Sequence, residues 1–98
     1  MKFGLDNDQY RYMTKHVVAP LQEQGARVFC YGSRARGDHQ TYSDLDIMVE
    51  SSLDLSTLVS FLQEQVTNSN FPYKVDLVEY RDFADSYKAG YQKDKLPW

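Results

Sequence analysis

Asp44 and Asp46 open a β-prone run, Asp44-Leu45-Asp46-Ile47-Met48-Val49-Glu50, and are two residues apart. Side chains two apart on a strand share a face, because the strand period is two. Their Cα atoms then lie roughly 6.5–7 Å apart, near enough for both carboxylates to converge on shared metal ions. Asp76, between Val75 and Leu77, sets a further acid in an apolar run. If the two strands are neighbours, three carboxylates meet on one face. Such a cluster repels itself and raises its own pKa values, a penalty that a divalent cation removes. Mg²⁺ favours hard oxygen ligands together with substrate phosphates. Two such ions roughly 3.5–4 Å apart can activate an attacking hydroxyl and stabilise a leaving pyrophosphate.

Ten residues separate Asp44 from Ser33, within Gly32-Ser33-Arg34-Ala35-Arg36-Gly37. A strand that ends at Gly32 and enters a helical turn at Ser33 presents backbone N–H groups as an anion site. Gly32 lets the backbone approach a phosphate closely, and Ser33 adds a hydroxyl donor. Arg34 and Arg36 add charge suited to bidentate phosphate contacts. Of the two, Arg36 is expected to reach phosphate or a partner. Gly32 and Gly37 have Walker A spacing, but Asp38 stands where that loop requires lysine. His16 and His39 lack metal-ligand spacing; His16 reads as structural or surface, and His39 as a loop residue near the site. Cys30 reads as a small core residue.

These residues need elements to hold them. Residues 6–24 predict a helix, with Asp6, Asn7 and Asp8 at its start and Tyr10, Met13, Val17 and Leu21 along one face. Pro20 predicts a kink or two shorter helices, and Gly25 ends the segment. Residues 26–31 and 44–50 predict strands joined by the Gly32–Gly37 turn and a polar loop over 38–43. Leu55, Leu58, Val59, Leu62 and Val66 mark a helix over 55–66. Residues 73–80 predict a third strand and 82–91 a short aromatic helix, with Tyr87 and Tyr91 on one face. The order α-β-β-α-β-α predicts an α+β two-layer domain. The aromatic C-terminal segment is expected to pack over the sheet, with part of it open to a partner.

At 98 residues the chain is expected to form one domain, 1–98, with one core. Hydrophobic residues at 42% and charged residues at 26% are those of an ordinary globular chain, not a disordered one. A formal net charge of −3 argues against general nucleic-acid binding, and direct DNA contact is not expected. One cysteine excludes an intramolecular disulfide and makes the cytoplasm the expected location. No apolar leader and no run of about 18 apolar residues is present, so no membrane span is expected.

The Gly32-Ser33 and Asp44-x-Asp46 pattern resembles the signature of the polymerase-β-like nucleotidyltransferase superfamily. The fuller Gly-Ser-Arg-Ala-Arg-Gly…Ser-Asp-Leu-Asp form resembles its minimal nucleotidyltransferase branch, and Asp76 matches the family's third carboxylate. The resemblance covers nearly the whole chain. It implies a short mixed sheet with helices packed on one face. It implies that Gly32 and Ser33 bind the triphosphate of ATP and that Asp44, Asp46 and Asp76 ligate two Mg²⁺ ions, Asp76 also helping to activate the acceptor hydroxyl. The implied reaction moves AMP from ATP to a hydroxyl, with pyrophosphate leaving. Small family members are often paired with a helical HEPN ribonuclease, which they neutralise by adenylylating its tyrosine. A chain this short leaves little to hold an acceptor, which suggests a helical partner in trans and a hetero-oligomer. Two other expectations stand beside this one: an antitoxin acting by occlusion, and transfer to a small molecule or RNA end with a helical subunit in trans.

Overall fold

The computed structural model describes residues 2–98; Met1, part of the domain expected over 1–98, lies outside the described residues. The first helix opens on a capping box: Asp6 accepts from the Gln9 backbone N–H, and the Gln9 side chain accepts from that of Asp6. It runs as α1 (Asn7–Met13), a π-helical turn (Thr14–Val18) and α2 (Ala19–Glu23). The irregularity expected at Ala19-Pro20 takes the form of that widened turn. Pro20 has no N–H to offer the His16 carbonyl. The ladder adapts one residue earlier, where the Ala19 N–H reaches the Thr14 carbonyl.

Four strands form one mixed sheet: β1 (Arg27–Tyr31), β2 (Leu45–Glu50), β3 (Val75–Glu79) and β4 (Leu96–Pro97), in the order β3-β2-β1-β4. β1 runs antiparallel to both its neighbours, and β2 runs parallel to β3. A parallel pair needs a crossover connection, supplied here by α4 (Ser56–Thr67). Val28, Cys30, Leu45, Ile47, Val49 and Val75 line one face of the sheet and form one core with Met13, Val17, Val18 and Leu21 of the first helical run and Val59, Leu62 and Val66 of α4.

The other face carries Asp46 and Tyr31, paired across β2 and β1, and Asp76, paired with Asp46 across β2 and β3. The expected one-sided packing describes the N-terminal helical run and α4. The C-terminal helix α5 (Asp85–Asp94) instead lies over the second face, where Tyr91 donates to Glu50 and stands edge-on to Tyr31 at 5.3 Å. It begins later than the expected 82–91, because Tyr80–Asp82 forms a separate 3₁₀ turn and Phe83 and Ala84 are extended.

β4 has no counterpart among the expected strands. Two residues, one of them proline, carry no periodicity to read. Pro97 is tolerated because β4 is an edge strand. The following Trp98 bonds its N–H to the Val28 carbonyl, stacks on Tyr10 at 4.9 Å and donates its indole N–H to Thr14 Oγ1. Among the described residues no helix is long and apolar enough to cross a membrane.

Candidate active site

β1 ends at Tyr31, and Gly32 turns the chain sharply with φ 74° and ψ −156°. A Cβ at Gly32 would stand 2.6 Å from Asp46 Oδ2, so a side chain there would push that carboxylate aside, and the positive φ itself favours glycine. Ser33–Arg36 then form a single helical turn, α3, closed where the Gly37 N–H meets the Ser33 carbonyl at 2.9 Å. The first N–H groups of a helical turn have no acceptor within it. The Gly32-Ser33 turn and the Asp46 carboxylate are therefore packed together, although fourteen positions separate Gly32 from Asp46 in the chain.

The strand register brings the acids to one place. Asp46 and Asp76 are direct partners across the parallel β2–β3 pair, where neighbouring strands run about 4.8 Å apart. Asp44 lies two residues ahead of Asp46, just before β2, where the Leu45 N–H bonds to the Lys74 carbonyl and keeps the two chains paired. Burial pushes the Asp46 carboxyl up to about 6, helped by the charges of Asp76 and Asp44; Lys74 and Arg36 pull the other way. Lys74 Nζ stands 3.9 Å from Asp76 Oδ1.

Among the described residues no three His, Cys, Asp or Glu side chains are drawn together tightly enough to hold a metal ion as they stand. The donor set is nonetheless that of a hard cation: carboxylate oxygens on adjacent strands, open to solvent at Asp44 and partly open at Asp46 and Asp76.

The two arginines of the turn part company. Arg34 is only 2% exposed and donates to the carbonyls of Phe3 and Ser43 at 3.0 Å and of Thr41 at 3.4 Å. Its guanidinium lies 4.2 Å from the centre of the Tyr73 ring. Arg34 thus ties the N-terminal segment and the 38–43 loop to the turn. Arg36 is the outer one and pairs with Asp38 and Asp94 at 3.1 Å each.

His16 is exposed and packs on Tyr12 at 4.5 Å. His39 lies under Gly4, with a buried Nδ1 that has no hydrogen-bond partner. Cys30 is a core residue, and burial pushes its thiol up to about 12, which leaves it unreactive. Tyr31 stands opposite Asp46 on the same face, although nothing in its sequence context marks it. Burial pushes its phenol up to about 12, with the charges of Asp46 and Asp76 adding to it. Only the β1–β2 pairing reveals it. Lys74 lies two residues before Asp76, and the strand period alone places it on the same face.

An α+β fold with a glycine-serine turn seated on an Asp-x-Asp strand defines a minimal nucleotidyltransferase of the polymerase-β-like superfamily. Residues 15–98 match the Nucleotidyltransferase domain, and the chain belongs to that family. Among particular relatives, it is similar to "Probable protein adenylyltransferase MntA" of Haemophilus influenzae, 32% identical over 62 residues. That match covers 62% of this chain and 54% of MntA, so the chain spans about half the length of that relative. A solved structure, "Structure of putative minimal nucleotidyltransferase", superposes with a TM-score of 0.71 at 26% identity, covering 96% of this chain and 97% of the other. A toxin–antitoxin structure solved with AMP-PNP shares the fold, with a TM-score of 0.65 at 21% identity over 86% of this chain and 71% of that one.

Proposed function

We propose that this chain is a Mg²⁺-dependent nucleotidyltransferase that moves AMP from ATP to a hydroxyl on a partner protein. The observation that carries it is the contact between Gly32 and Asp46, with Asp76 in register beside Asp46. This is where a triphosphate on the turn would meet ions on the acids. Gly32 and Ser33 would bind the triphosphate through backbone N–H groups and the Ser33 hydroxyl. Asp44, Asp46 and Asp76 would hold Mg²⁺. Bound there, the ions supply charge neutralisation at the reacting phosphate and a more acidic acceptor hydroxyl. Asp76 is positioned to take part in activating that hydroxyl. Arg36, at the outer end of the turn, would exchange its pairing with Asp38 and Asp94 for phosphate.

The acceptor in this proposal is a tyrosine of a helical HEPN-type toxin, and the chain is the antitoxin. The similarity to MntA, and the fold shared with a toxin–antitoxin structure, support that part. A cytoplasmic setting belongs to the same proposal and suits the lone buried thiol. The test is transfer of label from α-³²P-ATP to the partner co-purified with this chain. Labelling should require Mg²⁺ and vanish when Asp44→Asn and Asp46→Asn are combined. Labelling that survives the double substitution removes these acids from the mechanism. Neutralisation of the toxin that survives without labelling would favour occlusion.

A further inference from the structure

We propose that the aromatic cavity beside the Gly32 turn seats the nucleobase of the triphosphate, a reading that rests on the nucleotidyltransferase function above and extends it to a part of the substrate the motif does not touch. A cavity of about 330 Å³ opens between the end of β1 and α5. Tyr31, Phe83, Tyr87 and Tyr91 line it, and Arg36 and Asp94, joined by their ion pair, also border it. Gly32 is part of the same wall. The cavity therefore begins where the anion-binding turn ends, and a nucleotide whose phosphates sit on that turn has its base within the cavity's reach.

The aromatic residues divide into a fixed floor and a free ring. Tyr31 is edge-on to Phe83 at 5.7 Å and to Tyr91 at 5.3 Å, and Phe83 is edge-on to Tyr91 at 5.9 Å. These three hold each other in place, and the Tyr91 hydroxyl is anchored on Glu50. Tyr87 touches only Phe83 among these rings, at 5.9 Å and a 42° tilt, and is 66% exposed, a large flat surface with room for another ring against it. Flat heteroaromatic bases stack on such rings whatever their hydrogen-bonding pattern.

Gly90 completes the cavity by having no side chain. It lies inside α5, where glycine is a poor helix former, and a Cβ built on it meets nothing within 4 Å. A larger residue there is compatible with the fold and grows into the open space.

The experiment compares Mg²⁺·ATP with Mg²⁺·tripolyphosphate, which has the phosphates and no base, by calorimetric titration of the full chain. Gly90→Leu fills the cavity, and Tyr87→Ser removes the exposed ring. Thermal melts confirm folding, and the exposed Tyr87 position carries the test if Gly90→Leu is unstable. Each variant should bind ATP about tenfold more weakly, the scale of one lost stacking contact, and keep its tripolyphosphate affinity within about twofold. Unchanged ATP affinity in both variants overturns the base site and leaves the proposed function standing. A parallel loss of both ligands also overturns it. A wild-type chain that binds neither ligand overturns the inference and the proposed function together.

Discussion

Arg34 brings a charge into the interior with no carboxylate within ion-pair distance among the described residues; three backbone carbonyls and the face of Tyr73 stabilise it instead. Removing the guanidinium orphans acceptors on Phe3, Thr41 and Ser43. Arg34→Met should therefore cost about 2–3 kcal/mol in urea unfolding, the scale of hydrogen bonds from a charged donor. Arg34→Lys should not restore it, because an ammonium lacks the planar fork. A loss below about 0.5 kcal/mol, an ordinary surface value, would contradict the clamp. Gly32→Ala combines a backbone angle of φ 74° with a Cβ 2.6 Å from Asp46 Oδ2. It should cost at least about 1 kcal/mol of stability and displace the acid that the proposed metal site uses.

Glu50 sets a pH dependence. Burial opposes its ionisation, but hydrogen bonds from Tyr91 and Lys95, with Arg27 alongside, outweigh it and hold the carboxyl below its ordinary range. The folded chain then binds fewer protons at Glu50 than the unfolded chain does. The stabilisation is fully present above the unfolded value of 4.5 and is lost as pH falls through the folded value. Glu50→Gln should be less stable at pH 7 by about 1–3 kcal/mol and should show a shallower fall in melting temperature below pH 4.5. Equal acid slopes in the two proteins would contradict this account.

At the scale of elements, the C-terminal strand and the first helical run depend on each other. Trp98 stacks on Tyr10 and donates to Thr14, whose own hydroxyl donates to the Tyr10 carbonyl at the start of the π turn. Trp98→Ala should cost about 2–4 kcal/mol, somewhat under the range for a fully buried aromatic. Melting followed by circular dichroism checks this, and an unchanged midpoint would show that β4 docks without it.

Much of this level was legible in the sequence. The helical stripe from Tyr10 to Leu21, the strands carrying Val28, Ile47 and Val75, and the acids at 44, 46 and 76 follow from periodicity and spacing. The π turn, β4 and the placement of α5 on the second face were not. The π turn is decided by how the helical ladder adjusts to Pro20, and β4 and the placement of α5 by contacts between residues far apart in the chain, as are the acceptors of Arg34. The same holds for Tyr31, which reaches the site only through its pairing with Asp46.

At the scale of the molecule, the order β3-β2-β1-β4 puts the two chemical features on adjacent strands, the acids on β2 and β3 and the glycine turn at the end of β1. One face of the sheet is devoted to the core, and the other holds the acids with α5 beside them. The net charge of −3 includes the three acids of the site, which cation binding would offset. The most direct test of that arrangement is calorimetric titration of ATP into the full chain with and without Mg²⁺. The account predicts binding that requires Mg²⁺ and weakens at least tenfold, about 1.4 kcal/mol, when Asp44→Asn and Asp46→Asn are combined. Binding of equal strength without Mg²⁺, or in the double variant, would contradict it.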